Sequence, residues 1–371
     1  MALSLGQGFA PYLLKSIADI AKENNPQYKL EPFGLLNLLQ AQGSKREVQL
    51  NDDSGHKKTI RVKQKQRLTK DFTDTTKSCD QVNVIPVFET DVDINVTRQI
   101  AIYRNDEQMA AFMNDATESV SLGTPATSIM REMFDDILAG ANAILDGVNS
   151  DLWTLAAANI GVNRRTGSSA SSTINLSLST TTNPLSDGET QILADFKNNG
   201  GVGRPQVVGS GLMYNYFLQQ AFKTGFQSNG VDTKIAAGMF DFYYDLQAAS
   251  SLGSNQVIVY QPNAVQLVEY MEYTGFKAGV KPGASTFFTM LLPTQNNFGV
   301  SGVEFDVQLK YADCPQTLTD AYYGTSLSLQ KGWNIIISKQ CGLWTVPSGS
   351  YRATDVLNGN RGSLRYTITN A

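Results

Sequence analysis

A chain of 371 residues, 42% of them hydrophobic, can build one large domain or two or three smaller ones around real cores, and it is neither disordered nor fibrous. A formal charge of -4 excludes a protein whose main task is coating nucleic acid, which would be basic. The single histidine, His56, excludes histidine metal clusters, and Cys79, Cys314 and Cys341 are too few and too scattered for a disulfide framework.

The N-terminus lacks a basic start followed by a sustained apolar run, and no apolar stretch approaches the ~18 residues of a membrane span. A soluble product of a reducing cytoplasm is expected. In residues 1 to about 44, Leu13, Leu14, Ile17, Ile20 and Ala21 are spaced for one helical face, and Asn24-Asn25-Pro26 is a stop. A second apolar patch, Phe33 to Leu39, follows Pro32. Neither piece has much core of its own, so the spacing predicts an arm that lies across something else.

From Lys45 to about Thr97 the period changes to two. Val48 and Leu50 precede the turn residues Asp52-Asp53-Ser54-Gly55, and Thr59 to Lys65 alternates apolar with charged, which predicts a long hairpin. Residues 45 to 70 carry nine Lys or Arg against three acids, so the rest of the chain is acidic. Three readings of that charge stay open: a docking arm for an acidic neighbour, a nucleic-acid strip without the aromatics that stack on bases, and an edge hairpin whose lysines prevent aggregation. The return limb, Val82 through Val96, sets Val92, Ile94 and Val96 on one side and Asp91, Asp93 and Asn95 on the other. His56 lies beside Ser54 and Asp53 at the loop tip, where sequence neighbours do not converge on one reacting atom, so it reads as a solvated turn residue.

A helix near Asp106 to Glu118 precedes the strongest element. Thr124 is the expected N-cap with Pro125 at the first helical position, and Met130, Met133, Phe134, Ile137, Ala141, Ile144, Leu145, Val148, Leu152 and Leu155 recur every three or four residues. Unbroken to about Ile160, this spine would run ~50 Å at 1.5 Å per residue. Asp135 and Asp136 fall on its polar side.

Arg164 to Pro184 reads as a loop or edge excursion. An α/β unit should follow: a helix over 186–199 with a capping box at Ser186 to Glu189, a stripe of Ile192, Leu193 and Phe196, and Gly200 as its stop; a strand at Pro205 to Ser210; a helix near Leu212 to Phe222; a strand at Asn255 to Gln261; and a helix from about Asn263 to Met271. Gly200-Gly201-Val202-Gly203 follows a helix pattern, so it does not read as a phosphate loop, and no Walker-type or Gly-x-Ser-x-Gly motif occurs. Val303, Phe305, Val307, Leu309 and Tyr311 alternate with polar residues as a one-sided strand, and Leu327 to Leu329 should pair across Lys331-Gly332 with Trp333 to Ile337. No catalytic, cofactor-binding or metal-binding set emerges, and no enzyme activity or cofactor is expected.

The order of arm, two-stranded loop, spine helix, inserted α/β domain and returning strands resembles the Hong Kong 97-like capsid proteins of tailed phages. Asn255 to Ala264 is similar to the strand-to-helix segment of their axial domain, and Gly302 to Asp313 to their peripheral-domain strand. The resemblance implies an α+β fold: arm 1–44, extended loop 45–100, peripheral domain with spine 101–185, axial domain 186–300, and returning strands with a C-terminal segment 301–371. It implies a major capsid protein of the virion, assembled in the bacterial cytoplasm as hexamers and pentamers, with portal, scaffold and decoration proteins as further candidate partners, weak non-specific contact with packaged double-stranded DNA, and no membrane. Candidate subunit-interface residues are Lys57, Lys58, Arg61, Lys63, Lys65 and Arg67 on the loop and Leu13, Leu14 and Ile17 on the arm. No crosslink pair is identifiable, about 120 residues before the spine leave little room for a scaffold, and no maturation cleavage is expected of a chain starting at Met1. An encapsulin-like cage of the same fold, or another phage structural or adhesion component, are the alternatives.

Overall fold

The computed structural model describes residues 2–23, 26–41, 47–51, 59–65, 87–158, 173–178, 192–194, 196–197, 203–217, 240–260, 265–270, 286–294, 302–312, 316–319, 326–329, 332–345 and 363–370. The chain divides into two compact units: residues 1–32, 96–148 and 270–340 form the first, and 33–95, 149–269 and 341–371 the second.

In the first unit, helix α1 (Ala2–Lys22) turns Phe9, Leu13, Ile17 and Ile20 inward against helix α3 (Asp106–Leu122) and strand β10 (Thr286–Pro293). Phe9 meets Phe112 at 5.6 Å and Phe288 at 6.3 Å between ring centroids. The expectation that α1 lacks a core of its own is therefore corrected: its stripe is covered by the chain itself. Asn105 opens α3 with a capping box to Gln108, and Gly123 closes it in the left-handed region at φ 65°.

The spine is helix α4 (Ser128–Ala158), 31 residues and about 46 Å long. It starts later than Thr124. That residue is drawn into the end of α3, its N–H donating to Ser119 O and its carbonyl accepting from Ser119 Oγ, while Thr127 Oγ1 accepts from Met130 N–H. Nine of the ten predicted stripe residues are buried and Leu155 is half-buried. The two glycines inside the helix are where β4 (Val96–Asn105) crosses: a Cβ at Gly140 would stand 3.2 Å from Ile100 and Ile102, and one at Gly147 3.4 Å from Arg98.

The first unit's sheet runs β10-β11-β14-β4, with β11 (Gly302–Ala312) antiparallel to both β10 and β14 (Gly332–Thr345). Leu309 faces Ile335 and Val307 faces Ile337, which joins the buried rows of the two strands. The predicted partner of Leu327 to Leu329 is corrected: β13 (Ser326–Leu329) pairs with β12 (Gln316–Thr319), because the apolar alternation of Trp333 to Ile337 is matched by β11. Gly332 sits where a Cβ would stand 2.5 Å from Arg104 O and 2.7 Å from Tyr103 Oη. Gly332→Ala is expected to cost about 1–3 kcal/mol by overpacking against backbone that has nowhere to move, read as a lower urea midpoint at unchanged slope.

In the second unit a mixed sheet runs β5-β15-β8-β6-β7: β5 (Thr173–Leu178), β15 (Ser363–Asn370), β8 (Gln256–Tyr260), β6 (Gln206–Gly209) and β7 (Asp241–Tyr244). The stretch read as an edge excursion holds β5, and β15 lies between it and β8. Helical residues 192–194, 196–197 and 211–217 supply Ile192, Phe196, Met213 and Phe217 to a core with Val207, Val257, Val259, Leu364 and Tyr366. Val208 and Ile258, which alternate to the other face, are also buried, and helix α2 (Gly34–Ala41) packs on β6 and β7. The helix expected from Asn263 is corrected to a strand, β9 (Val265–Tyr270), because β14 supplies it with a ladder; Val265, Val268 and Tyr270 are residues a pleated surface accepts. The capping box at 186–189 and the stop at Gly200 lie outside the described residues.

Candidate assembly surface

Strands β1 (Glu47–Asn51), β2 (Thr59–Lys65) and β3 (Val87–Asp93) form a sheet of their own, in the order β1-β2-β3 and antiparallel throughout. The predicted hairpin is therefore present, with Val48 opposite Val62 and Leu50 opposite Ile60. Among the described elements, β1 and β2 make their substantial contacts with each other and with β3. A three-stranded sheet needs one covered face to be stable by itself.

Register sets the charges in this sheet. Lys63 lies between Glu47 on one neighbouring strand and Glu89 on the other, whereas Lys65 is opposite Val87. Arg61 is opposite Asp91, and its Nε donates to Asp91 Oδ1 at 2.9 Å. That hydrogen bond holds the Asp91 carboxyl below its ordinary value of 3.8. A depressed folded-state pKa means that the pair's contribution is complete at neutral pH and is lost as pH falls below 3.8 and through the folded value. Arg61→Gln should return the Asp91 titration toward 3.8, followed through the side-chain carboxyl carbon signal in NMR. Lys57, Lys58 and Arg67, like His56, lie outside the described residues.

On the arm, Leu13 and Ile17, expected at a contact between subunits, are 0% and 4% exposed inside the chain's own first unit, because α3 and β10 cover that face of α1. Leu14 is half-buried.

Acidic residues recur along α3 and α4. Asp106, Glu107, Glu118, Glu132, Asp135 and Asp146 are exposed on α3 and α4. The one basic residue between Asp106 and Val148 is Arg131, and it is engaged: its guanidinium donates to both oxygens of Glu23, at 2.8 and 2.5 Å, and to Tyr28 Oη. These bonds raise its pKa above the usual arginine value. Asp136, half-buried, pairs with Arg104.

One buried, heavily bonded carboxylate is a residue that sequence reasoning missed. Asp245, 1% exposed at the end of β7, accepts at Oδ1 from Trp153 Nε1 (3.1 Å), Gln247 N (2.8 Å) and Asn149 Nδ2 (3.2 Å), and at Oδ2 from Leu35 N (2.8 Å) and Asn149 Nδ2 (3.1 Å). Its signal was an acid set between Phe242-Tyr243-Tyr244 and Leu246. Every donor belongs to the second unit's own scaffold, so this is a structural joint. Among the described residues, no group of three or more His, Cys, Asp or Glu is placed to hold a metal ion, and no helix is long and apolar enough to cross a membrane.

No family model matches the chain, and no curated protein does. Among solved structures it is similar to the capsid of cyanophage P-SCSP1u (11% identity, TM-score 0.40, covering 86% of this chain and 85% of that one). It is also similar to a chain of Mycobacterium phage Cain (10%, 0.41, 92% and 91%) and to the capsid of Ralstonia phage GP4 (10%, 0.35, 86% and 85%).

Proposed function

We propose that this chain is the major capsid protein of a tailed bacteriophage, a structural subunit that assembles with copies of itself into the icosahedral shell around the genome and performs no catalysis. The observation that carries the reading is the β1–β2–β3 sheet, a thin sheet hydrogen-bonded to none of the other described strands, whose first two strands lie in the segment, residues 45–70, where the chain concentrates its positive charge. Such an element gains most when a neighbour covers it. The exposed acids of α3 and α4 offer a complementary surface on a second copy. The order of α1, the β1–β3 sheet, the α4 spine, the α/β unit and the β11 and β14 strands supports a Hong Kong 97-like reading, for which hexamers and pentamers would be the assemblies.

Negative-stain electron microscopy of the chain expressed alone in bacteria, with size-exclusion chromatography, tests this. Uniform hollow shells or capsomer-sized rings are the expected result. A monomer that stays monomeric at high concentration, also when co-expressed with the other head genes of its genome, sinks the proposal.

A further inference from the structure

The segment that carries the β1–β2–β3 sheet is fastened within the second unit at two points. Before the sheet, the first turn of α2 is held by Asp245 Oδ2 on the Leu35 N–H, and Gly34 lies so close to the Tyr244 carbonyl that a Cβ would overlap it. Gln40 Nε2 adds a bond to Glu269 at 3.1 Å from the helix's other end. Only residues 42–46 separate α2 from β1, a tether of at most about 20 Å. After the sheet, Gly342 on β14 lies against the last residue of β3: a Cβ there would stand 2.5 Å from Asp93 O and 3.0 Å from Val92 Cγ1.

The two oxygens of Asp245 divide the work. Oδ1 is committed to Trp153 and Gln247, which belong to the body of the unit, Oδ2 is the oxygen that reaches α2, and Asn149 Nδ2 donates to both. We infer that Asp245 Oδ2 and Gly34 form a latch that fixes α2, and that this latch, together with the fixed contact of Gly342 on Asp93, sets the orientation of the β1–β2–β3 sheet. One anchored end would leave the sheet free to swing about the other. The latch is a property of the single chain, so its test does not depend on the proposed shell.

The separation of roles makes the latch removable by itself. Asp245→Asn can keep a carbonyl oxygen in the Oδ1 place while its NH2 group takes the Oδ2 place, where it opposes the Leu35 N–H donor to donor; Asn149 Nδ2 loses its Oδ2 acceptor too but retains the Oδ1 place and Gln247 Oε1. Gly34→Ala pushes α2 off the Tyr244 carbonyl and leaves the carboxylate intact. Spin labels on Gln49→Cys and Ser250→Cys, with Cys79 and Cys314 changed to Ser and Cys341 buried, report the sheet's position through pulsed-EPR distances in the unassembled chain. The expected result is a distance distribution at least twice as wide in both variants, with the β6 and β8 amides as protected from hydrogen exchange as in the parent. An unchanged width overturns the inference, whether or not the α2 amides exchange faster. Loss of β6 and β8 protection in both variants also overturns it, because the contact would then hold the core and not aim the sheet.

Discussion

Asp245→Ala is expected to destabilise the second unit by about 4 kcal/mol or more, the largest stability effect of any single polar change in the described residues. Truncation leaves Leu35 N–H, Trp153 Nε1–H and Gln247 N–H without their acceptor in a site that is 1% exposed, and reduces the Asn149 amide to its bond with Gln247 Oε1. Each orphaned buried donor costs about 1–3 kcal/mol, with relief where water can enter the vacated space. Denaturant unfolding followed by tryptophan fluorescence checks this directly, since Trp153 is one of the affected donors. A loss below about 1 kcal/mol would mean that the joint is decorative. A conservative exposed acid such as Glu107 serves as the control, with an expected change within about 0.5 kcal/mol.

The second large effect concerns assembly. Reversing Lys63 and Lys65 to glutamate together should raise the protein concentration needed for shells at least tenfold while the monomer stays folded. Each reversed charge replaces an attraction at the proposed docking surface with a repulsion, about 1 kcal/mol or more apiece, and 1.4 kcal/mol is already a factor of ten. Local cost is small by comparison. Reversal at 63 places like charges opposite Glu47 and Glu89, about 0.2–1 kcal/mol per pair, too little to unfold the sheet. Lys65→Glu alone is the cleaner probe, because Val87 is its partner on β3. Unchanged assembly in both, by light scattering and microscopy with circular dichroism as the folding check, removes the docking role of this strand.

The parts legible in the sequence were those whose pattern and partner are both local. The α4 stripe depends on its own 3.6-residue period, and β1 finds β2 across a short loop, so period and turn chemistry identify both. Choices decided by distant partners were less legible. β13 and β14 are adjacent in sequence and look like a hairpin, but β11 offers Trp333, Ile335 and Ile337 a better-matched row. Val265 to Tyr270 suits a helix or a strand until β14 supplies a ladder. For the arm, an amphipathic stripe states that α1 must be covered and not by what, and Phe112 and Phe288 lie about a hundred residues or more away. The basic hairpin was visible as composition. The crossing of Lys63 by Glu47 and Glu89, and the capture of Arg61 by Asp91, required the register.

The place of β15 constrains how this chain is made. The strand completes the second unit's sheet between β5 and β8, yet it is synthesised about a hundred residues after β8. At about 5–20 residues per second a ribosome takes roughly 5–20 s to cover that distance. Throughout that interval β8 has an open edge and the apolar row of Val257 and Val259 lacks Leu364 and Tyr366. The nascent chain is thus incomplete on this unit until translation has passed residue 370. During those seconds, a chaperone that shields strand edges would have its clearest target on this protein.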